Sequence, residues 1–339
     1  MQCAKMARKQ YNSMDLAKFI MAFAVIAIHT DPLGDCDNAY VIAWFESTVG
    51  MAVPFFFLAS GYLLAKKLPF PYSESDIPVI RRSWIKSLNM YLKWMLIYTP
   101  LSLYHSVVTK IPPVKAAAGY IRGLFLVGEQ YNSWHLWYLL STVYTLMLVM
   151  LLFRMHITPR RLLLVGLLFS AISFGADWLV GVKGDMPAVC RIMQEFIRVS
   201  TCNGRILRGM IYIPIGMYLA HKPLPKLANE ALFVIGFALN LFVEGWIGSY
   251  MLMMSSIGLF GIIEGIRLKD HPVYPWLRQM STIIYLIHMY VWSFYYQIVY
   301  GEKMIGMDCF LVTSLVSCVI ALAYLMIKRK RDARKNAFC

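Results

Sequence analysis

Residues 14–30 have the sequence MDLAKFIMAFAVIAIHT, an apolar run that is long enough to cross most of a bilayer as an α-helix. Because such a helix rises 1.5 Å per residue, His29 lies roughly 22 Å along it from Met14. An acidic segment follows the run, where a signal peptide would instead have small residues before its cleavage site. We therefore predict a first membrane span that is retained.

The composition extends this membrane character to the whole chain. Hydrophobic residues make up 59% of the 339 residues and charged residues only 15%, whereas a soluble domain is about half apolar and about a quarter charged. The net charge of +15 is also found in proteins that bind nucleic acid. Here, however, the basic residues stand in short segments between apolar runs, which is typical of membrane topology. We expect no nucleic-acid partner.

Ten apolar runs can be distinguished, and most have about the 20 residues that cross the bilayer core. We predict an all-α polytopic membrane protein, a bundle of about ten transmembrane helices in a lipid bilayer. The chain is expected to be a single integral-membrane domain over residues 1–339, with short cytoplasmic tails at 1–13 and 328–339. The runs are 14–30, 42–65, 87–108, 136–154, 160–180, 206–221, 229–246, 248–267, 280–300 and 307–327.

The basic residues predict the orientation of these spans. When the loops are assigned alternately, 22 lysines and arginines fall on one side and nine on the other, apart from Lys18 and Lys93 within spans. Because the more basic loops stay in the cytoplasm, both termini are predicted to be cytoplasmic, in a multi-pass protein of the plasma (inner) membrane. Only the longer segment 181–205 departs from the alternation.

The seven cysteines show no metal-ligand spacing, and we expect no metal. Cys36, Cys190 and Cys202 fall on the outer side in this topology. Oxidising conditions there would permit a Cys190–Cys202 disulfide, and three free thiols agree with the sequence at least as well.

His29 is the first candidate for chemistry. It lies in the outer half of its predicted span, where an ionisable side chain is costly and is a functional candidate by default. The equally weighted alternative is a helix-end histidine that extends outward. Lys18 stands eleven residues earlier, three turns below and on nearly the same face. It either contributes to the site or extends to the cytoplasmic surface.

A basic segment precedes the third span. Arg82 and Lys86 are four residues apart and share a helical face, and Arg81 is adjacent. Such a face on the cytoplasmic side suits the phosphates of a nucleotide-bearing donor. A positively charged anchor in contact with lipid headgroups explains it equally well.

Five further positions complete the candidates. His135, Trp137 and Tyr138 open the fourth span from outside, where the two aromatic side chains either support a site or form an interfacial belt. Arg205 either binds an acidic acceptor or merely helps to end a loop. His288 is a second imidazole within a span, which favours an intramembrane reaction or proton path; hydrogen bonding to a neighbouring helix is its structural alternative.

Taken together, these segments resemble the acyltransferase-3 family of integral-membrane acyltransferases, which modify surface polysaccharides and other exported acceptors. The resemblance covers nearly the whole chain. No single segment is specific, so the case depends on six segments in the family's order along ten predicted spans. They are 14–19 continuing to 28–30, 53–64, 81–91, 135–139, Arg205 with 214–217, and 285–288.

The resemblance implies roles for individual residues. His29 takes the place of the family's candidate catalytic residue, and Lys18 that of an arginine eleven residues before it, so the charge is kept but the bidentate fork is lost. The family's pair of cytoplasmic arginines aligns with Ser83 and Lys86, so the details of donor binding differ here. The implied donor is acetyl-CoA or another acyl-CoA, with the basic segment 81–86 and Lys18 as its binding candidates.

The expected activity is transfer of an acetyl or other acyl group from acyl-CoA to a hydroxyl of an exported acceptor, such as a surface glycan or a lipid-linked sugar. Histidine suits the general base because its ordinary pKa is near neutral. We expect direct transfer, with a covalent acyl-histidine step as the alternative. The supporting or acceptor-side candidates are His135, Trp137, Tyr138, Arg205 and His288.

Two other classes of protein remain as alternatives. A transporter or a sensing module without chemistry would also suit helices with buried histidines, although the inverted repeat that many carriers have is not visible. A serine-racemase-type membrane domain would need a fused racemase, and these 339 residues are not expected to contain one.

Overall fold

The computed structural model describes residues 10–301 and 306–337, and the regular structure in those ranges is helical. The N-terminal residues Lys5, Arg8 and Lys9 and the loop residue Lys303, all used in the charge count, lie outside them. Within the described ranges, short loops and single helical turns join thirteen α-helices. These are α1 (Asn12–Thr30), α2 (Ala39–Gly50), α3 (Ala52–Ala65), α4 (Ile77–Val108), α5 (Pro113–Arg122), α6 (Trp137–Arg154), α7 (Pro159–Gly181), α8 (Ala188–Thr201), α9 (Arg208–His221), α10 (Lys226–Asn240), α11 (Gly245–Gly265), α12 (Val273–Tyr295) and α13 (Met307–Ala337).

The all-helical prediction is confirmed, and several apolar helices make the chain a multi-pass membrane protein. Among the described residues, six helical segments are long and apolar enough to cross a membrane, so the predicted count of about ten is not confirmed. The other four predicted runs also form helices, but α9 and α10 have only 14 and 15 residues, and α4 and α12 are less apolar. The six segments are Asn12–Thr30, Ala39–Ala65, Trp134–Arg154, Pro159–Gly181, Gly245–Gly265 and Met307–Arg334.

Contacts at the two ends of α1 identify the two ends of the bundle. Near the start of α1, a carboxylate oxygen of Asp15 lies 3.3 Å from the guanidinium of Arg278, which is near the start of α12. Beyond its other end, the Gly306 amide just before α13 donates to the last carbonyl of α1 at 3.0 Å. We call these ends the Asn12 side and the His29 side.

α3 and α9 cross at close range because both have a glycine at the crossing. A Cβ added at Gly61 would overlap the Ile213 carbonyl, and one added at Gly216 would overlap the Leu58 carbonyl. Small residues permit such close approach between membrane helices, whose association depends on packing rather than on the hydrophobic effect. A side chain at either glycine would push the two helices apart.

α1 packs against α12 and α3 and forms one wall of the candidate site. Its buried residues Ala22 and Ile26 lie against α12. The Thr30 hydroxyl donates to the Ile26 carbonyl at 2.9 Å, and Asp31 has a left-handed backbone with φ 38°. Such a residue ends a helix, so the His29 ring lies in the last turn of α1.

The segment 181–205, which departed from the charge alternation, contains a helix that the sequence analysis missed. α8 carries charged residues on one face and a row of exposed apolar residues on the other. This pattern is typical of a helix that lies in the membrane interface, rather than of a loop whose charges report topology. Its exposed apolar residues are Val189, Ile192, Met193, Phe196 and Val199.

Cys190 and Cys202 are free thiols, which was the alternative to a disulfide between them. They lie at opposite ends of α8, and twelve helical residues separate them by roughly 18 Å, whereas a disulfide needs Cα atoms less than about 7 Å apart. The Cys190–Cys202 disulfide is therefore not formed.

Most of the predicted C-terminal tail at 328–339 lies within the described residues, where it is helical. α13 continues through Lys328 to Ala337, the last described residue, and so extends the final predicted span as helix.

Candidate functional site

Three histidines from distant parts of the chain meet near the His29 side of the bundle. His29 lies in the last turn of α1, His135 in the short helical turn before α6, and His288 in α12. The rings of His29 and His288 are stacked with centroids 5.5 Å apart, and those of His135 and His288 are 4.9 Å apart. We call these three residues the histidine cluster. In the described ranges, no group of three or more His, Cys, Asp or Glu side chains is arranged to hold a metal ion.

His288 is oriented by its own helix. Its Nδ1 lies 2.8 Å from the Tyr285 carbonyl oxygen. Because a carbonyl only accepts, the neutral ring carries its proton on Nδ1 and leaves a lone pair on Nε2. Nε2 is buried and has no hydrogen-bond partner among the described residues. This hydrogen bond lies within α12. The His288 ring contacts the neighbouring segments through the rings of His29 and His135.

His135 is held by aromatic side chains. The Tyr285 hydroxyl donates to its backbone carbonyl at 2.6 Å, and the rings of Tyr98 and Tyr285 lie 5.4 and 5.3 Å from its ring. The imidazole is 1% exposed. Neither ring nitrogen makes a well-formed hydrogen bond within the described chain, although the Leu286 carbonyl is near. A buried polar group without a partner costs free energy, so packing alone does not explain a histidine here.

Two members of the cluster, His29 and His135, line a cavity of about 460 Å³. His29 is half-buried and is the more accessible of the two, whereas His135 and His288 are buried. The cavity follows the last turns of α1 from Val25 to Asp31. Its volume lies in the range of small-molecule sites.

Arg205 forms a charged part of the cavity wall. It is ion-paired with Glu129, lies over the Trp137 ring at 5.3 Å from the centroid, and donates to the Cys202 sulfur at 2.9 Å. It also interacts electrostatically with His29. Because Glu129 already balances its charge, direct binding of an acidic acceptor by Arg205 would require this ion pair to open.

The turn before Arg205 is fixed by its backbone conformation. Asn203 and Gly204 have positive φ values of 59° and 79°, and a Cβ added at Gly204 would lie 2.6 Å from the Ser173 carbonyl oxygen. Glycine therefore has no substitute there without rearrangement. The segment does end a loop, which was one of its two predicted roles, and it also brings the arginine to the cavity.

Trp137 and Tyr138 are core residues and do not form an interfacial belt. Trp137 is buried and its ring lies 5.9 Å from that of Phe57. The Tyr138 ring lies 4.4 Å from Phe57 and 5.7 Å from Tyr285. Tyr138 therefore supports Tyr285, which in turn holds His135.

The predicted donor-binding residues separate into two groups. Lys18 and Lys86 come together near the Asn12 side, where Lys86 is exposed and Lys18 lies deeper in the bundle. Arg81 and Arg82 are exposed on α4 and are not part of this group. The charged residues that act on Lys18 are Asp15, Lys67, Lys86 and Arg278. Along α1, Lys18 and His29 are roughly 16 Å apart.

Three residues of the site were not predicted. Tyr285 belongs to the family-like segment 285–288, but no role was predicted for it. Its position three residues before an intramembrane histidine is the signal that could have identified it. Trp134, whose ring lies 6.1 Å from that of His29, precedes a candidate histidine in the sequence. Glu129 has no such signal, because its partner Arg205 is 76 residues away.

The comparison with protein families gives the family of the chain. The model of the family Acyl_transf_3, described as an acyltransferase domain, matches residues 11–327. The chain belongs to the acyltransferase-3 family. The resemblance seen in the six sequence segments is thereby confirmed. The acyltransferase-3 match begins one residue before α1 and includes the whole histidine cluster.

Similar curated proteins are longer than this acyltransferase-3 chain. An amino-acid racemase from Enterococcus faecalis is 22% identical over 342 residues, which cover 95% of this chain and 47% of that protein. A serine/alanine racemase from Enterococcus gallinarum is 26% identical over 294 residues, which cover 82% of this chain and 40% of that protein. The chain thus spans less than half the length of these relatives. No solved structure matches it.

Proposed function

We propose that this acyltransferase-3 protein transfers an acetyl or other acyl group from acyl-CoA to a hydroxyl of an exported or cell-surface glycan-type acceptor, with His29 as general base. The observation that carries the proposal is the histidine cluster at the wall of a cavity, in a chain of this family.

The donor would bind from the Asn12 side. Lys86 is exposed there, and Lys18 lies deeper, on the helix whose last turn carries His29. Arg82 is exposed one turn before Lys86 on the same face of α4. Cations in this arrangement suit the phosphates of CoA. The long flexible arm of CoA would then carry the thioester along α1 toward the cavity.

The transfer step places a defined demand on His29. Its imidazole takes the proton of the acceptor hydroxyl while the hydroxyl oxygen attacks the thioester carbonyl carbon. The carbon–sulfur bond then breaks, and CoA leaves as a thiolate that takes up the proton. Arg205 lines the cavity and would supply positive charge to the carbonyl oxygen that becomes negative once its ion pair with Glu129 opens. The stacked His288 ring limits the movement of His29.

We also propose that both termini are cytoplasmic and that the protein lies in the plasma (inner) membrane. The 22-to-9 distribution of basic residues supports this orientation. The Asn12 side then faces the acyl-CoA in the cytoplasm, and the His29 side faces the exported acceptor.

The test uses membranes from a strain that lacks the chromosomal copy and expresses wild-type protein, His29→Ala, or His271→Ala as a control at an exposed histidine outside the cluster. Acetyl-labelled acetyl-CoA is added, and labelled glycan and free CoA are measured. We expect both products with the wild type and the control and neither with His29→Ala. Folded wild-type protein that forms no labelled product would overturn the proposal.

A second candidate function follows from the relatives, which are named as racemases. The cavity has Arg205 and Arg208 together with Asp31 and Glu46 among its lining residues, so it offers both charges that a zwitterionic amino acid requires. The protein would then be the membrane part of an amino-acid racemase system that binds or transports the amino acid. Binding or uptake of labelled L-serine by the purified protein in liposomes, without acetyl transfer, would favour this candidate.

A further inference from the structure

A larger cavity lies beside the histidine cluster, and the proposed reaction does not use it. It has a volume of about 1310 Å³ and lies between α4, α5 and the loop that leads to Trp134; we call it the groove. Its walls are mainly apolar. Along α4 the groove extends from Leu96 to Val107, a distance of roughly 16 Å. This length exceeds half of the roughly 30 Å hydrocarbon core of a bilayer.

Many polar side chains also line the groove, and those without a partner among the described residues are unevenly placed. Ser102 lines it and is 8% exposed, and its hydroxyl has no hydrogen-bond partner in the part of the chain that the structure describes. Lys110 and Lys115 are exposed at the mouth on the His29 side, and neither is ion-paired with another described residue. Arg122, in contrast, is bound to two backbone carbonyls at the end of α8. The groove therefore combines an apolar length with two available cations at one end.

The groove and the cavity beside His29 are adjacent, because side chains that line one contact side chains that line the other. Trp134 lines the groove, and its ring lies 6.1 Å from that of His29. Glu129 also lines the groove and is ion-paired with Arg205, which lines the cavity. A ligand in the groove therefore lies next to the candidate catalytic residue.

We propose that the groove binds a lipid-borne form of the acceptor, namely a long-chain lipid phosphate that carries the sugar to be modified. The apolar chain would lie along α4, Lys110 and Lys115 would hold the phosphate, and the sugar hydroxyl would reach His29 past Trp134. This inference rests on the proposed acyltransferase function. A free glycan has no apolar part to fill the groove, whereas a lipid phosphate matches both the apolar walls and the two cations.

The test measures equilibrium binding of radiolabelled farnesyl phosphate, a single-chain lipid phosphate, to the purified full chain in detergent. Farnesol, inorganic phosphate and phosphatidylglycerol are added as competitors. We expect farnesol to bind more weakly than farnesyl phosphate by a factor of about ten or greater, because it lacks the charge-assisted contacts. Inorganic phosphate is expected not to compete. Lys110→Ala with Lys115→Ala should weaken binding by a similar factor, and Lys183→Ala, an exposed lysine outside the groove, should not.

Gly119 in α5 offers a matched pair of variants. It lines the groove, and a Cβ added there meets no atom within 4 Å. Gly119→Ala should therefore leave the groove open and retain binding, whereas Gly119→Trp should fill part of it and abolish binding. Equal binding in these two variants would overturn the proposal, and so would phosphatidylglycerol that competes as well as farnesyl phosphate. If Gly119→Trp does not fold, the lysine variants decide the outcome.

One variant separates this inference from the proposed function. His29 does not line the groove, so the His29→Ala variant should bind farnesyl phosphate as the wild type does. Wild-type protein that binds farnesyl phosphate but transfers no acetyl group would contradict the acyltransferase proposal. Acetyl transfer to a glycan without any binding of farnesyl phosphate would overturn the inference about the groove and leave the enzyme function intact.

Discussion

Replacing His29 and His288 in turn should separate chemistry from structural support. The His29 ring is half-buried, borders an existing cavity and makes no hydrogen bond to the residues that the structure describes. His29→Ala therefore only enlarges that cavity, and we expect a folded, normally expressed protein. The rate of acetyl transfer should fall by a factor of about 10² to 10⁴, the usual contribution of a general base.

His288→Ala removes a ring that is 0% exposed and packs against two other imidazoles. The hydrogen bond to the Tyr285 carbonyl is lost, which alone would cost about 0.6 kcal/mol in a membrane protein. The void left in the core costs more, about 2 to 5 kcal/mol for truncation of a large buried side chain. We therefore expect a lower melting temperature and lower expression, with a smaller loss of rate per folded molecule than in His29→Ala.

Both variants are purified in detergent, and the melting temperature and the acetyl transfer per folded molecule are measured together. If His29→Ala retains more than about a tenth of the wild-type activity, it is not a general base of the usual magnitude. If His288→Ala loses as much activity as His29→Ala at an unchanged melting temperature, His288 takes part in the chemistry and its structural role is refuted.

Three further predictions concern the donor side, the orientation and a thiol. The double variant Arg82→Ala with Lys86→Ala should weaken acetyl-CoA binding without lowering the melting temperature, because exposed charges contribute little to stability. The control is Arg160→Ala with Arg161→Ala, which removes two exposed arginines at the start of α7. Equal affinity for acetyl-CoA in the two double variants would exclude the donor role. A reporter active only in the cytoplasm, fused to the C terminus, should be on, and a signal only from a periplasm-active reporter would reverse the topology. Burial raises the pKa of the Cys202 thiol despite the nearby Arg205 charge, so its thiolate is scarcer in the folded protein. At slightly alkaline pH a maleimide should therefore react with Cys202 more slowly in the folded protein than after unfolding. Equal rates of modification, measured by mass spectrometry, would contradict this.

The helices could be predicted from the sequence wherever apolar residues run without interruption. Residues 14–30 correspond to α1, which the structure extends by two residues at its start. α8 escaped the same search because Arg191, Glu195 and Arg198 interrupt its apolar residues and lower the hydropathy of any long window. An amphipathic helix is recognised by its helical period rather than by its average hydropathy, so a test for that period would have been needed.

The candidate site could be predicted in its members but not in its assembly. His29 and His288 were singled out because ionisable residues within spans are rare. Their contact depends on how α1 packs against α12, where the buried Ala22 permits close approach. No spacing along the sequence encodes that packing, and the same is true of the Glu129–Arg205 pair.

The charges around Lys18 favour an anionic ligand over a lipid anchor on the Asn12 side. The charged groups that act on Lys18 include three cations, from Lys67, Lys86 and Arg278, but only one carboxylate, from Asp15, which is already paired with Arg278. These three cations are exposed to water, whereas Lys18 lies deeper in the bundle, where like charges repel more strongly. An anion that reached Lys18 would offset that repulsion. A lipid headgroup would meet the exposed arginines of α4, whereas a phosphate that reaches Lys18 must belong to a ligand that enters the bundle, as the proposed donor does.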